Sequence, residues 1–318
     1  MKYIGRTNLF LLITIGVSFL IAGLFYVFNG DLSSAGGFAI TVIYMFVPML
    51  SVLFVEKVVY KENIIDRLLI SFKINKWFFI AWVLPLLVVL LTIIVSLFLP
   101  GVSFSPGSEG ILNRYENMLP PEQIEEMRKQ FESTAISPLW FILLQGMFAG
   151  ITINAVAGFG EELGWRGFLT RQFSHLNFWK ASILIGFIWG IWHAPIIAMG
   201  HNYPQHPIAG IFMMVAWCIL LSPVFMYITI RAKSVIAASV LHGTINAIGA
   251  LAMFMVAGGD DLTVGITGLS GFVAIAIIIA VLYIYDNSFS QKKVMKGLIE
   301  QHLPFNLQNT NTTEYGKG

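Results

Sequence analysis

Residues 77–99 read WFFIAWVLPLLVVLLTIIVSLFL, a run without a charged side chain. About 20 largely apolar residues are enough for a helix to cross the hydrocarbon core of a bilayer. Further runs of this kind lie, in chain order, at 9–29, 38–56, 138–158, 181–199, 208–230, 235–257 and 266–285. The sequence therefore predicts an all-α fold, a polytopic membrane helix bundle with about eight transmembrane helices.

The composition of the whole chain agrees with a membrane protein. Hydrophobic residues make up 57% and charged residues 11% of the 318 positions, whereas a soluble domain has about 45–50% and about 25%. The mean hydropathy is +0.77. A net charge of +2, from 19 basic and 17 acidic residues, argues against a nucleic-acid partner. The lone Cys218 excludes an intrachain disulfide and a cysteine-based metal cluster, and we expect it to pack in the interior.

The basic residues predict the orientation of the bundle. Sixteen of the 19 Lys and Arg residues fall on one side if the eight runs cross the membrane in alternation. The other three are Arg114, Arg128 and Lys129, all in one long loop. Cytoplasmic loops carry the excess of Lys and Arg in membrane proteins. We therefore expect an integral, multi-pass protein, in the cell membrane, with both termini in the cytoplasm.

The chain shows no internal repeat, so we predict one membrane-embedded helical domain over 1–302. An extracytoplasmic loop covers 100–137, and 303–318 is predicted to be a disordered cytoplasmic tail. Within the loop, Pro120-Pro121-Glu122 predicts a helix start, and Ile124, Met127 and Phe131 then share one face. This segment is either an amphipathic helix lying at the membrane interface or a lid.

Ionisable groups inside a span are costly and indicate function. One such group is GFGEELGWR at 158–166, at the end of the fourth run. Glu162 and Arg166, at i and i+4, are predicted to form an ion pair. Glu161 points about 100° away from Glu162 on a helix and is a candidate general base. The alternative is a pair of interfacial carboxylates in contact with headgroups and water.

Two further polar groups lie inside the fifth and seventh runs. His193 falls near mid-membrane, and Trp189 lies one helical turn before it, where its ring could brace the imidazole. His242 and Asn246 share a helix face at i and i+4, so two neutral donors could point at a developing oxyanion. For each group the alternative is a hydrogen bond to a neighbouring helix. The tract 200–207, with His201 and His206, is predicted to be a polar turn on the outer side, and metal binding by the two histidines is the alternative.

These three motifs, Glu-Glu-x-x-x-Arg, aromatic-x-x-x-His and His-x-x-x-Asn in that order, resemble the CPBP family. That family contains the CAAX prenyl endopeptidases and the Abi-type, bacteriocin-processing intramembrane proteases, known as metalloproteases. The resemblance covers a core of about 138–257, with Trp189 where the family often has Phe.

The resemblance implies a hydrolase that cuts a peptide bond of a membrane-associated peptide or protein. Glu161 would activate a water held by His193, and His242 with Asn246 would stabilise the oxyanion. Glu162, Arg166 and Trp189 would have supporting roles.

Metal dependence stays open at the level of sequence. The soluble zinc-protease motif H-E-x-x-H is absent from the printed sequence. Glu161, His193 and His242 could still meet around a zinc ion with an open fourth position. Water activated by glutamate and histidine without a metal is the other route, and it is the one we favour.

The depth of the residues presents a difficulty. Counting along the runs places Glu161 near the cytoplasmic boundary and His193 near the midplane. They can meet only if the fourth span is tilted, shifted or broken, and Gly158, Gly160 and Gly164 offer a place for a break. We expect water to reach the site from the cytoplasmic side.

Two other functions are compatible with the composition. A proton- or cation-coupled transporter would also bury Glu and His, although transporters often repeat such motifs in both halves of the chain, and this chain has them only in the second half. A non-catalytic immunity or regulatory protein could share the same fold. The complete set of Glu161, His193, His242 and Asn246 favours the protease.

Overall fold

The computed structural model describes residues 5–106, 112, 120–133 and 138–303. Within these residues, seven single helices are long and apolar enough to cross a membrane, and a bent helix pair makes an eighth span. The predicted all-α bundle of about eight spans is therefore confirmed, and the protein is an integral, multi-pass membrane protein.

The elements follow one another in chain order with short connections. They are α1 (Arg6–Val27), α2 (Ala35–Leu53, continued by a π-helix at Phe54–Val59), α3 (Lys76–Ser96), β1 (Ser103–Phe104), α4 (Pro121–Ser133), α5 (Pro138–Ile151), α6 (Ile153–Glu162, continued by a π-helix at Leu163–Leu169 and a turn of helix at Thr170–Gln172), α7 (Phe178–Ala198), α8 (Pro207–Ala232), α9 (Val235–Ile248), α10 (Leu251–Phe254), β2 (Val256–Ala257) and α11 (Leu269–Ser288). Two 3₁₀ turns follow at Val294–Lys296 and Ile299–Gln301.

Polar caps set the starts of four spans. The side chains of Ser34, Asn75, Asn177 and Ser234 each accept a hydrogen bond from a backbone N–H in the first turn of α2, α3, α7 and α9 respectively. Such caps satisfy N–H groups that have no partner inside the helix. Each span therefore begins within a few residues of the start expected from hydropathy.

The fourth span differs from the expected run at 138–158. It consists of α5 and α6, which meet at a 49° bend. The break lies at Thr152, whose φ of −116° and ψ of −104° leave the helical region. The second piece then continues through its π-helix as far as Gln172. Glu161 consequently lies inside the spanning helix and not at its end.

The expected position of the break, at Gly158, Gly160 and Gly164, is wrong. These glycines allow close helix packing. A Cβ on Gly158 would lie 3.1 Å from the Cβ of His242, and one on Gly160 would lie 2.6 Å from the carbonyl oxygen of Met45. Small residues at helix contacts let backbones approach inside a bilayer. α6 is thereby held against α9 on one side and α2 on the other.

α9 is the central helix of the bundle. In the span Val235–Phe254, which α9 and α10 form, 72% of the most apolar 18-residue stretch is buried inside the structure, compared with 22% for α1. Its Gly243 faces the bend of the fourth span, where an added Cβ would lie 2.5 Å from the carbonyl oxygen of Gly150 and 2.6 Å from the carbonyl carbon of Asn154. This packing brings the His242 side chain beside α6.

Different backbone and side-chain hydrogen bonds hold the loops at the two ends of the bundle. At one end β1 pairs with β2, and the Tyr203 hydroxyl donates to the Thr267 carbonyl oxygen at 2.7 Å. At the opposite end the last described residues cover the loop before α7, with Ile299 N–H donating to Leu176 O at 3.1 Å.

Several predictions concern segments that the structure describes only in part. Helix α4 is present, and Ile124, Met127 and Phe131 are its half-buried apolar residues. Its position at the membrane interface stays a prediction, as does the single domain over 1–302. Leu303 is buried, and 304–318 of the predicted tail lie outside the described residues, as do Lys2, Arg114 and Lys317.

Candidate active site

The three motifs meet in one cavity of about 520 Å³ between α2, α6, α7, α8 and α9. All four predicted catalytic residues, Glu161, His193, His242 and Asn246, line this cavity. The bend and the extension of the fourth span bring Glu161 to the depth of the two histidines, which resolves the difficulty posed by the linear count.

Glu161 is held by a residue of α7. Only 2% of Glu161 is exposed, and its Oε2 accepts a hydrogen bond of 2.8 Å from the Trp189 indole N–H. Its other oxygen, Oε1, lies 3.7 Å from His242 Nε2. Trp189 therefore contacts Glu161 as well as His193, the residue that its ring was expected to brace. The two rings are 5.7 Å apart, while the indole N–H of Trp189 bonds to the carboxylate.

His193 is fixed by its own helix. Its Nδ1 lies 2.9 Å from the Trp189 carbonyl oxygen, and because a carbonyl only accepts, Nδ1 carries the proton. In the neutral imidazole this leaves Nε2 with a free lone pair. The Trp192 ring packs edge-on against the imidazole at 4.7 Å. The orientation and the tautomer of His193 are thus both set by α7.

His242 is connected to a buried ion pair. Its Nδ1 lies 2.7 Å from Glu162 Oε1, and Glu162 Oε2 lies 3.4 Å from Arg166 Nε. The predicted ion pair between Glu162 and Arg166 is therefore present, with both side chains at 0% exposure. The guanidinium carbon lies 4.5 Å from the ring centroids of both Trp189 and Phe225, a favourable cation–π arrangement.

This connection changes the expected chemistry of His242. A neutral ring that donates from Nδ1 to Glu162 has no hydrogen on Nε2. Nε2 can donate to an oxyanion only in the doubly protonated ring. The description of His242 and Asn246 as two neutral donors is therefore incomplete, and Asn246, which lines the cavity, is the donor that needs no extra proton.

Other cavity residues were not assigned a role from the sequence. Tyr44 of α2 lines the cavity and donates its hydroxyl to the Trp192 carbonyl oxygen at 2.6 Å. Asn154 and His201 also line it. No sequence signal indicates Asn154, because the helix break beside it is known only from the structure. His201 belongs to the predicted polar turn but faces the cavity, whereas His206 bonds to Asp261 at 2.6 Å.

The residues that the resemblance suggests as zinc ligands do not form a ligand set. Among the described residues, no group of three His, Cys, Asp or Glu side chains is placed to hold a metal ion. Glu161 and His242 are 3.7 Å apart and Glu161 is already bonded to Trp189. We derive no reaction step through a metal.

The cavity extends toward the end of the bundle at which few basic residues lie. Its lining includes Phe38 at the start of α2, Asn202 after α7 and Thr267 before α11, all at the end of the bundle that carries few basic residues. Toward the basic loops, the π-helix Leu163–Leu169 follows directly, and every residue in it is buried. Access of water from the cytoplasmic side stays a prediction.

Comparison with known proteins addresses the family. Residues 135–248 match the sequence model of the family described as Type II CAAX prenyl endopeptidase Rce1-like. The resemblance to the CPBP family, drawn from the three motifs, is thereby confirmed. The matched residues include all seven residues singled out from the sequence, and the first three spans and α11 lie outside the match.

One similar protein is CAAX prenyl protease 2 of Methanococcus maripaludis, with 32% identity over 154 residues. The similar region covers 46% of this chain and 51% of that protein. The chain thus spans about half the length of the curated relative it matches.

Proposed function

We propose that this chain is an intramembrane endopeptidase that hydrolyses a peptide bond of a membrane-associated peptide or protein. The observation that carries the proposal is the buried Glu161 carboxylate, 3.7 Å from His242 in a cavity shared with His193 and Asn246. The match to the Rce1-like family and the similarity to a CAAX prenyl protease support an endopeptidase over a transporter or a non-catalytic protein.

In the proposed mechanism Glu161 is the general base. Two groups hold the attacking water. It donates one hydrogen bond to the free Nε2 of His193 and the other to a Glu161 oxygen. Glu161 takes the proton as the water oxygen attacks the carbonyl carbon. The carboxylic acid so formed then returns the proton to the leaving amine, which restores the carboxylate. General acid–base catalysis of this kind contributes about 10²–10⁴-fold.

The oxyanion of the tetrahedral intermediate is stabilised by the Asn246 amide and by His242 in its doubly protonated form. The Glu162 carboxylate, 2.7 Å from Nδ1 of His242, attracts that charge throughout. The Glu161 carboxylate, 3.7 Å from Nε2, attracts it until Glu161 takes the proton from the water. Glu162 and Arg166 hold the imidazole in place, and Trp189 holds Glu161. Removal of one oxyanion donor typically costs about 10²–10³-fold in kcat.

The test is cleavage of a membrane-anchored peptide by the purified protein in liposomes. We expect Glu161→Gln, His193→Ala and His242→Ala to abolish cleavage, and Asn246→Ala to lower kcat by about 10²–10³-fold. Glu62→Gln and His175→Ala are matched controls, because both residues lie outside the cavity lining. Undiminished cleavage by a correctly folded Glu161→Gln variant would contradict the mechanism.

The metal-free route has its own measurement. Cleavage in the presence of excess chelator, together with the zinc content of the purified protein, separates the two routes. Full activity without bound zinc is expected. Activity that disappears with the chelator and returns with zinc alone would assign the ion a place among Glu161, His193 and His242.

A further inference from the structure

Three arginines from distant parts of the chain meet at the end of the bundle that carries most of the basic residues. Arg6 is the first residue of α1, Arg67 lies in the loop between α2 and α3, and Arg171 lies in the last turn of the extension of α6. The Thr7 hydroxyl donates to Gln172 Oε1 at 3.4 Å and so joins the start of α1 to that extension. We call the three arginines the arginine cluster.

Two glutamates compensate part of the charge of the arginine cluster. Arg6 Nη1 lies 3.4 Å from Glu56 Oε2, and Arg6 Nη2 lies 3.1 Å from Glu62 Oε1. Arg67 forms an ion pair with the other oxygen of Glu62. Only 1% of the Glu56 side chain is exposed. Both carboxylates are therefore engaged by Arg6 and Arg67.

Arg171 is the charge that is left over. Its charged neighbours are Arg6, Arg67, Glu56 and Glu62. Its Nη1 is buried and has no hydrogen-bond partner within the described part of the chain. A buried donor without a partner is unfavourable, and two guanidinium groups of the same charge nearby add repulsion. With three arginines and two glutamates, the group keeps one positive charge that calls for an anion.

The position of the arginine cluster indicates the kind of anion. The cluster lies where α1 begins, where the π-helix after α2 ends and where the fourth span ends. Val58 in that π-helix and Ile65 in the following loop are 61% and 55% exposed, so apolar surface lies next to the charges. This is the boundary between hydrocarbon and water, at which the phosphates of phospholipids lie. Basic pockets between transmembrane helices bind such headgroups.

We infer that the arginine cluster binds the phosphate group of an anionic phospholipid in the leaflet at this end of the bundle. Arg171 supplies the uncompensated charge, and Arg6 and Arg67, whose side chains are 26% and 21% exposed, complete the site. The planar guanidinium suits phosphate oxygens, which it can bind through two parallel hydrogen bonds. One phosphate diester carries one negative charge and neutralises the group. A zwitterionic lipid gains less, because its ammonium group is repelled by the same arginines.

The bound lipid would also join elements around the active site. Arg171 follows Glu162 and Arg166 on the same continuous extension of α6. A phosphate shared by Arg171 and Arg6 therefore holds this extension against α1. The lipid is then a structural ligand, and its binding does not depend on the reaction that the site catalyses.

Native mass spectrometry of the intact, delipidated protein measures the binding without catalysis. The probes are phosphatidylglycerol and phosphatidylcholine with the same acyl chains. We expect tighter binding of phosphatidylglycerol, and we expect Arg171→Gln to weaken that binding about tenfold, through the loss of one charged hydrogen-bonding group. Lys180→Gln is the matched control, because it removes a positive charge from an exposed residue in the first turn of α7 at the same end. This control should bind phosphatidylglycerol as the unchanged chain does.

Thermal melting in nanodiscs tests the structural effect of the lipid. The melting temperature of the unchanged chain and of Lys180→Gln should rise when phosphatidylglycerol replaces phosphatidylcholine, and Arg171→Gln should not show this rise. Arg171→Lys keeps the charge without the planar fork and should bind phosphatidylglycerol with intermediate affinity, which separates a lost contact from a misfolded variant.

Three results would overturn the inference. The first is equal affinity of the unchanged chain for the two lipids. The second is an equal loss of phosphatidylglycerol binding in Arg171→Gln and Lys180→Gln. The third is displacement of phosphatidylglycerol by millimolar inorganic phosphate, which would assign the arginine cluster to a soluble phosphate. Retention of the lipid against inorganic phosphate, together with its loss in Arg171→Gln, supports the phospholipid as the occupant.

Discussion

The polar residues of the site form one connected chain of charges, although the guanidinium nitrogens of Arg166 have no hydrogen-bond partner among the described residues. Arg166 is paired with Glu162, which in turn bonds to His242. Removal of one partner of a buried ion pair leaves an uncompensated charge, which costs about 3–5 kcal/mol. The network therefore has a structural effect that is separate from catalysis.

This effect predicts the stability of Arg166 variants. We expect Arg166→Met to lower the free energy of unfolding by about 3–5 kcal/mol, because Glu162 then stays buried without its partner. The double variant Arg166→Met with Glu162→Gln should be more stable than Arg166→Met alone, since the unpaired charge is gone. Reversible unfolding in bicelles measures both, and additive losses in the double-mutant cycle would show that the two residues do not interact.

A second residue-scale contact lies outside the membrane span and depends on pH. His206 Nδ1 lies 2.6 Å from Asp261 Oδ1, and this hydrogen bond raises the pKa of His206. A raised pKa in the folded state stabilises the fold below the ordinary histidine pKa of about 6.5, and the stabilisation is lost as pH rises through the folded value.

The pH dependence is testable with His206→Gln. The melting temperature of the variant should fall below that of the unchanged chain at pH 5.5, and the difference should shrink by pH 8.5. Asp260, whose carboxylate is nearby and raises the same pKa, stays unchanged in both proteins. A difference that is constant across this pH range would mean that the charge of His206 does not contribute.

The identities of the site residues were predictable from the sequence, and their partners were not. Spacing at i and i+4 indicates which side chains share a helix face, and it gave the pair of Glu162 with Arg166. The bonds from Trp189 to Glu161 and from His242 to Glu162 each join two different helices. Such bonds depend on how far one helix is shifted along another. The spacing of residues within a single helix gives no information about this shift.

At the scale of elements, hydropathy located seven spans well and failed at the fourth. The rule ends a span where charged residues begin, because lipid does not solvate them. Glu161, Glu162 and Arg166 are surrounded by other helices, so the helix continues past them to Gln172. The bend at Thr152 has no proline or glycine at that position to announce it.

The contact between α9 and the bend predicts the effect of one added methyl group. Gly243→Ala places a Cβ 2.5 Å from the Gly150 carbonyl oxygen and 2.6 Å from the Asn154 carbonyl carbon, and backbone atoms cannot rotate away. We expect a loss of stability of about 3 kcal/mol, the upper range for overpacking, and a loss of cleavage because His242 shifts. Gly16→Ala in α1 is the matched control, since a Cβ there meets nothing within 4 Å. Equal melting temperatures for the two variants would contradict the tight contact.

At the scale of the whole molecule, the low charge content has two separate consequences. The lipid-facing surface of the peripheral helices is apolar. In α1, for example, Leu20 is 61% exposed, and Phe28, the residue directly after this helix, is 79% exposed. The interior is where the remaining charges are paired. A charged side chain is therefore stable where it has a partner inside the bundle or water at the ends of the bundle. It is unfavourable on the lipid-facing surface within the membrane.

Two arginine substitutions in α1 test this dependence on depth. Leu20 lies roughly 21 Å from the start of α1, at about 1.5 Å per residue, and is close to the middle of the bilayer, whereas Phe28 follows the last residue of the helix. We expect Leu20→Arg to cost about 2.5–3.5 kcal/mol in insertion free energy and Phe28→Arg to cost little, because its guanidinium reaches water. The measurement is the fraction of chain that resists carbonate extraction and elutes as a single species. Both positions are exposed and apolar, so equal yields of the two variants would show that the bilayer does not surround α1 as the bundle requires.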